Sequence, residues 1–500
     1  MPLNTSLMNM PGVKLGIVGV SRDCFPIDLT RTRLGALGKA CEQIGETVTC
    51  LKTVIENEND AMTALTEAQD HGVNAVVIFL GNFGPEGPLS IFAEEFTGPV
   101  MVIGAAEESK DTLIGGRGDA YCGMLNASYN LGLRDVPVYI PQLPVGLPDE
   151  LALKVQHFRT VARIVIGVLN LKVFGFGPRP QDFYACNAPI KPLYDLGVEV
   201  MENSELDLLM EYEAIAPDDP AIVHICADMA AELGDGNTYP DLLPKLARFQ
   251  LALLQFLHKN LGSRAFGAFA DKCWPAFEKA FGFVPCYVNS RLAALGFPVA
   301  CEVDLYGAVS EYIVQLATER PATLLDINNT VPIDLITDTD LMGATARDLF
   351  MGFHCGNTAS NCMKNFEMKF QLIMNRLMED PTKAPVITRG TLEGQIRPGP
   401  TTVFRLQGNT ENQLVSYIAQ GNILDVDPHS FGSIGIFAIP DFARFYRHVL
   451  IGKRFPHHAA IGFGTCGEAI VDALQLLGIS DINAPKPDWE FYSGENPFAL

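Results

Sequence analysis

The sequence predicts an α/β chain: two N-terminal doubly wound α/β domains followed by a β-rich, antiparallel, barrel-like C-terminal domain. Three observations predict it. From Val13 to about Val102, apolar strand-like runs alternate with helical periodicity, the rhythm of a parallel sheet covered by helices. A second stretch of the same kind follows the proline-bearing segment "DVPVYIPQLPVGLPDE". Beyond Asn329 the texture changes to alternating apolar and polar residues punctuated by Gly and Pro, as antiparallel strands require. A chain of 500 residues is also too long for one core.

The elements follow in order. The first domain, residues 1–145, runs through the strand "VKLGIVGV", a helix near Arg33 to Gly45, the strand "TVTCLKTV", a helix around Ala61 to His71, and the strands "NAVVIFL" and "GPVMVIG". Its proline-bearing end reads as a linker. The second domain, residues 146–330, opens with the helix "ELALKVQHFRTVARIVIGVLNL" and the strand "KVFGFG", and continues through a long helix near Leu242 to Asn260. Its last unit is "FPVACEVD" as strand, "LYGAVSEYIVQLATER" as helix and "PATLLDINN" as the next strand. The third domain, residues 331–500, contains "TRGTLEGQIRPGPTTVFRLQG" and "GSIGIFAI", with the alternation and Gly/Pro turns of antiparallel strands.

Composition excludes several function classes. With 36 basic and 58 acidic residues the net charge is −22, and no run of Lys or Arg interrupts it. Such a surface repels nucleic-acid backbones and anionic lipid, so neither is expected as a partner. The apolar run "LGIVGV" is too short for a signal segment or a membrane span, and the expected location is cytoplasmic. The 12 cysteines lack paired spacing and read as reduced core thiols rather than a zinc site.

Chemistry concentrates in the acids and histidines. Glu302 ends one apolar strand and Asp326 ends the next, 24 residues later, with one helix between. In a parallel βαβ unit both carboxylates would sit at the carboxyl edge of the sheet, where open α/β folds bind ligands. Two adjacent carboxylates repel unless a cation or a shared proton compensates; the plainer alternative is that each caps a strand or helix. For a third ligand, His458 lies on a short apolar run, as a core histidine or a metal ligand, and His354 in "MGFHCGN" is the other candidate. Neighbouring His457 and His458 would point to opposite faces of a strand, so one at most faces a given pocket. A Glu/Asp/His set without thiolate suits Mn²⁺ or Mg²⁺. Among the other histidines, His224 reads as core, and His157, His258 and His448 as surface.

After His458 comes "GFGTCG", in which Gly462, Gly464 and Gly467 spell G-x-G-x-x-G. A dinucleotide fold needs a further βαβ and a ribose-binding acid about 20 residues on, and the remaining chain is too short and ends in "NAPKPDWEFYSGENPF". The glycines therefore read as a tight strand-to-helix turn.

"ACEVD", the spacing to "LLDINN", then "FHCGN", then a late histidine before a glycine turn together resemble the L-fucose isomerase and L-arabinose isomerase family. The resemblance spans the chain in domain order and is sharp from about Cys273 onward. It implies a metal-dependent aldose–ketose isomerase for sugars of the L-fucose or D-arabinose type, working by cis-enediol proton transfer. The cofactor would be Mn²⁺, or another divalent cation such as Mg²⁺ or Co²⁺, and the assembly a homo-oligomer, hexamer or trimer, with sites near subunit boundaries. Carried over by residue, Glu302, Asp326 and His458 would hold the metal. Glu302 would serve as base with Asp326 as its partner. Arg22 in "GVSRDCFP", His354, His457 and Asn357 would bind substrate. Aspartate at 326 is fucose-type, since arabinose-type members carry glutamate there. Two alternatives stand beside this: isomerisation of a modified, for instance sulfonated, hexose on the same triad, and a non-catalytic sugar-binding protein.

Overall fold

In a computed structural model, residues 7–337, 339–373, 386–496 and 498 are described. The chain divides into two compact units, one comprising Pro11–Ile166 with Glu468–Ser480, the other Met1–Met10, Gly167–Gly467 and Asp481–Leu500. Among the described residues no helix is long and apolar enough to cross a membrane.

The first unit is built on a parallel sheet in the order β2-β1-β3-β4-β5. Its strands are β1 (Leu15–Val20), β2 (Val48–Cys50), β3 (Ala75–Leu80), β4 (Val100–Ala105) and β5 (Val145–Gly146). Every residue of β1, β3 and β4 is buried, which is why these strands read as continuous apolar runs rather than alternating ones. The proline-bearing segment is not a free linker. Tyr139 bridges Met101 and Val145–Gly146 forms the edge strand β5, because extended prolyl backbone fits a sheet edge that needs few donors.

Among the described residues the second unit holds two sheets. The smaller is parallel, in the order β7-β6-β8-β9, with β6 (Leu171–Gly177), β7 (Glu199–Ser204), β8 (Phe266–Ala270) and β9 (Val299–Ala300). The larger has nine strands: β10 (Thr323–Asn329), β11 (Leu349–His354), β12 (Met363–Phe370), β13 (Arg389–Ile396), β14 (Gly399–Gly408), β15 (Leu414–Leu424), β16 (Ser433–Ala438), β17 (His458–Gly462) and β18 (Asp481–Asn483). Its order is β12-β13-β16-β11-β10-β17-β14-β15-β18, and β15 also pairs with β16. That extra pairing closes β16-β11-β10-β17-β14-β15 into a ring, and every pair around the ring is antiparallel. Leu325, Phe350, Val403, Tyr417, Phe437 and Ala459, one from each strand, pack in a single cluster that fills it. The expected C-terminal barrel is therefore present.

One expectation fails. β9 and β10 are not neighbours in a parallel βαβ unit: β9 edges the four-stranded sheet, while β10 lies in the barrel between β11 and β17. β9 stops after two residues because the backbone turns left-handed at Glu302 (φ 54°) and Val303 (φ 57°), so it offers no edge long enough for the seven residues of β10. Between them the helix Leu305–Thr318 is buried on all sides from Leu305 to Leu316, because it is enclosed between β8 and the barrel strands β14 and β17. Some of its polar atoms are paired, since Ser310 Oγ donates to Tyr306 O and accepts from Leu406 N and Gln315 donates to Gly296 O, while Glu311 Oε2, Tyr312 OH and Gln315 Oε1 are buried without a hydrogen bond.

Three of the remaining histidines also differ from expectation. His224 is exposed, on the outer face of the helix Pro220–Leu233 beside Asp228; apolar neighbours in sequence misled, since the buried stripe of that helix is Ile222, Met229 and Leu233. His157 and His448 are largely buried and pair with Asp472 and Glu495. His258 is exposed.

Candidate functional site

Glu302 projects from the turn Cys301–Val303 that ends β9. Two consecutive non-glycine residues in the left-handed region cost roughly 1 kcal/mol or more each. The turn is held by Val303 N donating to Asp271 O and by Asp304, which caps the following helix by accepting from Gly307 N. Asp326 and His458 arrive from the barrel. They are directly opposed on the antiparallel strands β10 and β17, so their side chains share a face. Gly462 secures β17 against the helix Leu305–Thr318: a β-carbon there would stand 2.4 Å from Val314 Cγ1. β17 then turns at Gly464 (φ 144°) into the helix beginning at Gly467. The glycine motif is thus a strand-to-helix turn that lets the strand carrying His458 lie against the helix that follows Glu302.

The side chains converge. His458 Nε2 lies 3.2 Å from Glu302 Oε2 and 3.4 Å from Asp326 Oδ1. His354 Nε2 is 3.5 Å from the same Glu302 oxygen, and His457 Nε2 is 3.5 Å from Asp326 Oδ1. Both tandem histidines therefore reach Asp326, against the expectation of opposite faces. His457 precedes the first residue of β17, so strand alternation does not govern it.

Behind His458 stands a buried relay. Asp304 Oδ2 lies 2.8 Å from His458 Nδ1, and the same carboxylate takes both arms of Arg405 at 2.5 and 2.9 Å. Arg405 is wholly buried and also donates to Gln407. An anionic acceptor at Nδ1 makes that nitrogen the donor, so that Nε2, once it gives up its proton, turns its lone pair toward Glu302 and Asp326. His354 is set the other way. Its Nδ1 accepts from Cys355 N at 2.9 Å, so its Nε2 carries the proton and presents a donor toward Glu302.

Electrostatics follow this layout. Burial alone would raise the Glu302 carboxyl, but His354 and His458 outweigh it and hold it well below the usual carboxylate range. Asp304 is likewise lowered against its burial, by Arg405 and His458. Burial works to lower His458, yet Asp304, Cys186 and Glu302 raise it well above an ordinary histidine. Burial lowers His457, with His458 adding to the effect. Even so, His458 Nε2 and Glu302 Oε2 are buried without a hydrogen-bond partner. Two such atoms facing each other are costly unless a proton or a cation sits between them. Among the described residues His458 is shared by two sets of side chains close enough to hold an ion, one with Glu302 and His354 and one with Asp326 and His457, while Glu302 and Asp326 do not fall in a single set. Carboxylate and imidazole donors of this kind suit a hard or borderline divalent ion such as Mn²⁺, Mg²⁺ or Co²⁺.

The cluster opens into a cavity of about 280 Å³ lined by Glu302, Asp326, His354, His457, Cys273 and Cys355, with Phe183, Trp274, Phe353 and Ile373 as its apolar walls. Asn357 is not among these residues; it is buried, and its amide points at Cys301 Sγ beside the Glu302 turn. Arg22 belongs to the other compact unit, where it pairs with Glu86 and stacks over Phe83. Asp304, the acid two residues after Glu302, and Arg405 emerge as the supports of His458. A lone arginine inside the strand run "TTVFRLQG" was the available signal, since a buried cation must find a carboxylate. Phe183 sits in a loop that no pattern singled out.

Two family models match the chain: fucose/sulfoquinovose isomerase, N-terminal domain, over residues 16–169, and L-fucose isomerase, C-terminal domain, over residues 352–483. Together they span more than half of it; Glu302 and Asp326 lie between them, and His354 and His458 within the second. The chain is similar to a sulfoquinovose isomerase of Priestia aryabhattai, at 23% identity over 67% of this chain and 69% of that protein. Proteins of the same name from Clostridium sp. (strain MSTE9) and Alkalicoccus urumqiensis are 27% and 24% identical over 43% and 63% of this chain, and 44% and 66% of their own lengths. The chain belongs to the fucose isomerase family and is an aldose–ketose isomerase.

Proposed function

We propose that this isomerase acts on the open-chain form of a hexose modified at C6, with a divalent cation, Mn²⁺ first among candidates, held by Glu302, Asp326 and His458. The observation that carries the metal is the buried, unpartnered facing of His458 Nε2 and Glu302 Oε2. When bound, the cation would polarise the sugar carbonyl and acidify the neighbouring C–H. Glu302, already held in its ionised form, takes the proton from C2 and returns it to C1, so that a cis-enediol intervenes. Asp326 moves the proton between the two oxygens, and the two acids exchange roles with direction. His354 Nε2–H donates to a sugar oxygen, and His457 closes the same side of the cavity against Phe183, whose ring centroid is 5.4 Å away. Asp304 and Arg405 keep His458 in the required tautomer. Arg22 is kept as a sugar-binding residue on the family resemblance.

Two sugars are supported by different observations. A sulfonated hexose is favoured by the relatives, all named sulfoquinovose isomerase. A 6-deoxy sugar of the L-fucose type, with D-arabinose as its shorter analogue, is favoured by the cavity, whose described lining holds no Lys or Arg to meet a sulfonate. We place the sulfonated hexose first. Ketose formation from sulfoquinovose, L-fucose and D-arabinose, measured after EDTA treatment and again after adding Mn²⁺, decides both points. The proposal expects activity only with the metal restored and highest kcat/KM for sulfoquinovose. Preference for L-fucose would select the second sugar, and full activity in EDTA would overturn the metal.

A further inference from the structure

The helix Ala120–Leu133 contains no charged residue, in a chain whose acids outnumber its bases by 22. Its inner face is ordinary: Ala120, Gly123, Met124, Ala127 and Leu131 are buried, and Gly123 lies so close to Phe83 that a β-carbon would stand 2.1 Å from that carbonyl oxygen. Its outer face is not. Tyr121, Leu125, Tyr129 and Leu133 are exposed by 77, 66, 67 and 64%. At a spacing of four residues they form one stripe along the full helix, where a solvated face would carry polar and charged side chains. Asn126 and Asn130, the polar residues beside the stripe, are turned inward onto Glu86.

The stripe exposes roughly 500 Å² of side chain, taking about 200 Å² for a whole tyrosine. That is at the upper end of the apolar patches monomers leave in water. It is also about two-thirds of the roughly 800 Å² that each partner contributes to a standard interface, close to the apolar share of a homodimer contact.

We propose that this stripe is a two-fold interface on which a second copy of this chain docks, helix against antiparallel helix. Charge selects the occupant. Two copies at −22 each repel across most of their surfaces, and a helix face without charge is where they can approach at the least Coulombic cost; a basic partner would find no charge on the stripe to pair with. The pattern is also self-complementary. Pairing about a two-fold axis through the level of Ala127 brings Tyr121 against Leu133 of the partner subunit and Leu125 against Tyr129 of the partner subunit, so every tyrosine meets a leucine. The inference stands on this surface alone and is independent of the sugar and metal assignments.

Light scattering on the full-length protein eluting from a sizing column tests it, with wild type beside Leu125→Glu, Tyr129→Lys and the control Leu153→Glu, an equally apolar position exposed by 57% on the helix Pro148–Leu169. Circular dichroism confirms that each variant is folded, as exposed positions allow. Either stripe variant should halve the molar mass of the assembly, while the control keeps the wild-type mass. A monomeric wild type, or stripe variants that keep the wild-type mass, would overturn the proposal.

Discussion

Two loops that follow parallel strands handle charge in opposite ways. After β1, Arg22 is answered at every turn. Its guanidinium reaches Glu86 at 3.3 Å and Gly84 O at 3.4 Å and stacks over Phe83, while Asn82 accepts from the backbone of Arg22 and Gly84. After β9, the turn bearing Glu302 adopts left-handed backbone at two residues and ends with a carboxylate oxygen that faces a histidine nitrogen without a hydrogen bond. Polar atoms are equally available to both loops. The first uses them to settle its charge, and the second leaves two buried polar atoms facing each other unpaired, as a cation-holding loop does and a self-neutralised one does not.

The largest effect that can break this contrast is at Asp304. Asp304→Asn leaves Arg405 buried without its anion, at a cost of about 3–5 kcal/mol, and puts a neutral amide in place of the anion behind His458 Nδ1, so Mn²⁺ binding should weaken about 10- to 100-fold. Arg22→Ala removes only a partly exposed pair and should cost less than about 1 kcal/mol. Denaturant unfolding and calorimetric Mn²⁺ titration of both variants measure this. Equal destabilisation by the two would erase the distinction between the loops.

A smaller effect concerns Glu311, on the buried helix between the two sheets of the second unit. Burial, aided by the Asp304 carboxylate, pushes its carboxyl up from 4.5 to about 8. The folded chain then keeps a proton that the unfolded chain releases, so Glu311 favours the fold most below about pH 4.5 and that advantage is lost as pH rises through about 8. Glu311→Gln should therefore flatten the decline of Tm between about pH 5 and pH 9. A decline as steep as wild type would show that Glu311 is not the buried acid responsible.

Much of this was legible in sequence. The fully buried strands of the first sheet announce themselves as unbroken apolar runs; the barrel strands are set off by Gly and Pro turns, but β11, β16 and β17 are buried along their whole length rather than alternating. Glu302, Asp326 and His458 stood out because charged or titratable residues at the ends of apolar runs are costly. What stayed hidden depends on pairing over long sequence distances. That β10 joins β17 and β11 rather than β9 follows from a left-handed turn no residue type advertises, since neither Glu302 nor Val303 is glycine. His457 shares the Asp326 oxygen with His458 because the strand begins one residue later than the apolar run suggested. Arg405 gains meaning only once β14 is laid against the helix that Asp304 caps.

The central claim, that the unpartnered Glu302 carboxylate is both metal ligand and base, is tested most directly by the turnover of Glu302→Gln at saturating Mn²⁺. The substitution keeps shape and removes only the charge and the basic oxygen. The account predicts a fall in kcat of about 10²- to 10⁴-fold, the usual contribution of a positioned base. Turnover near that of wild type with Mn²⁺ still bound would contradict it.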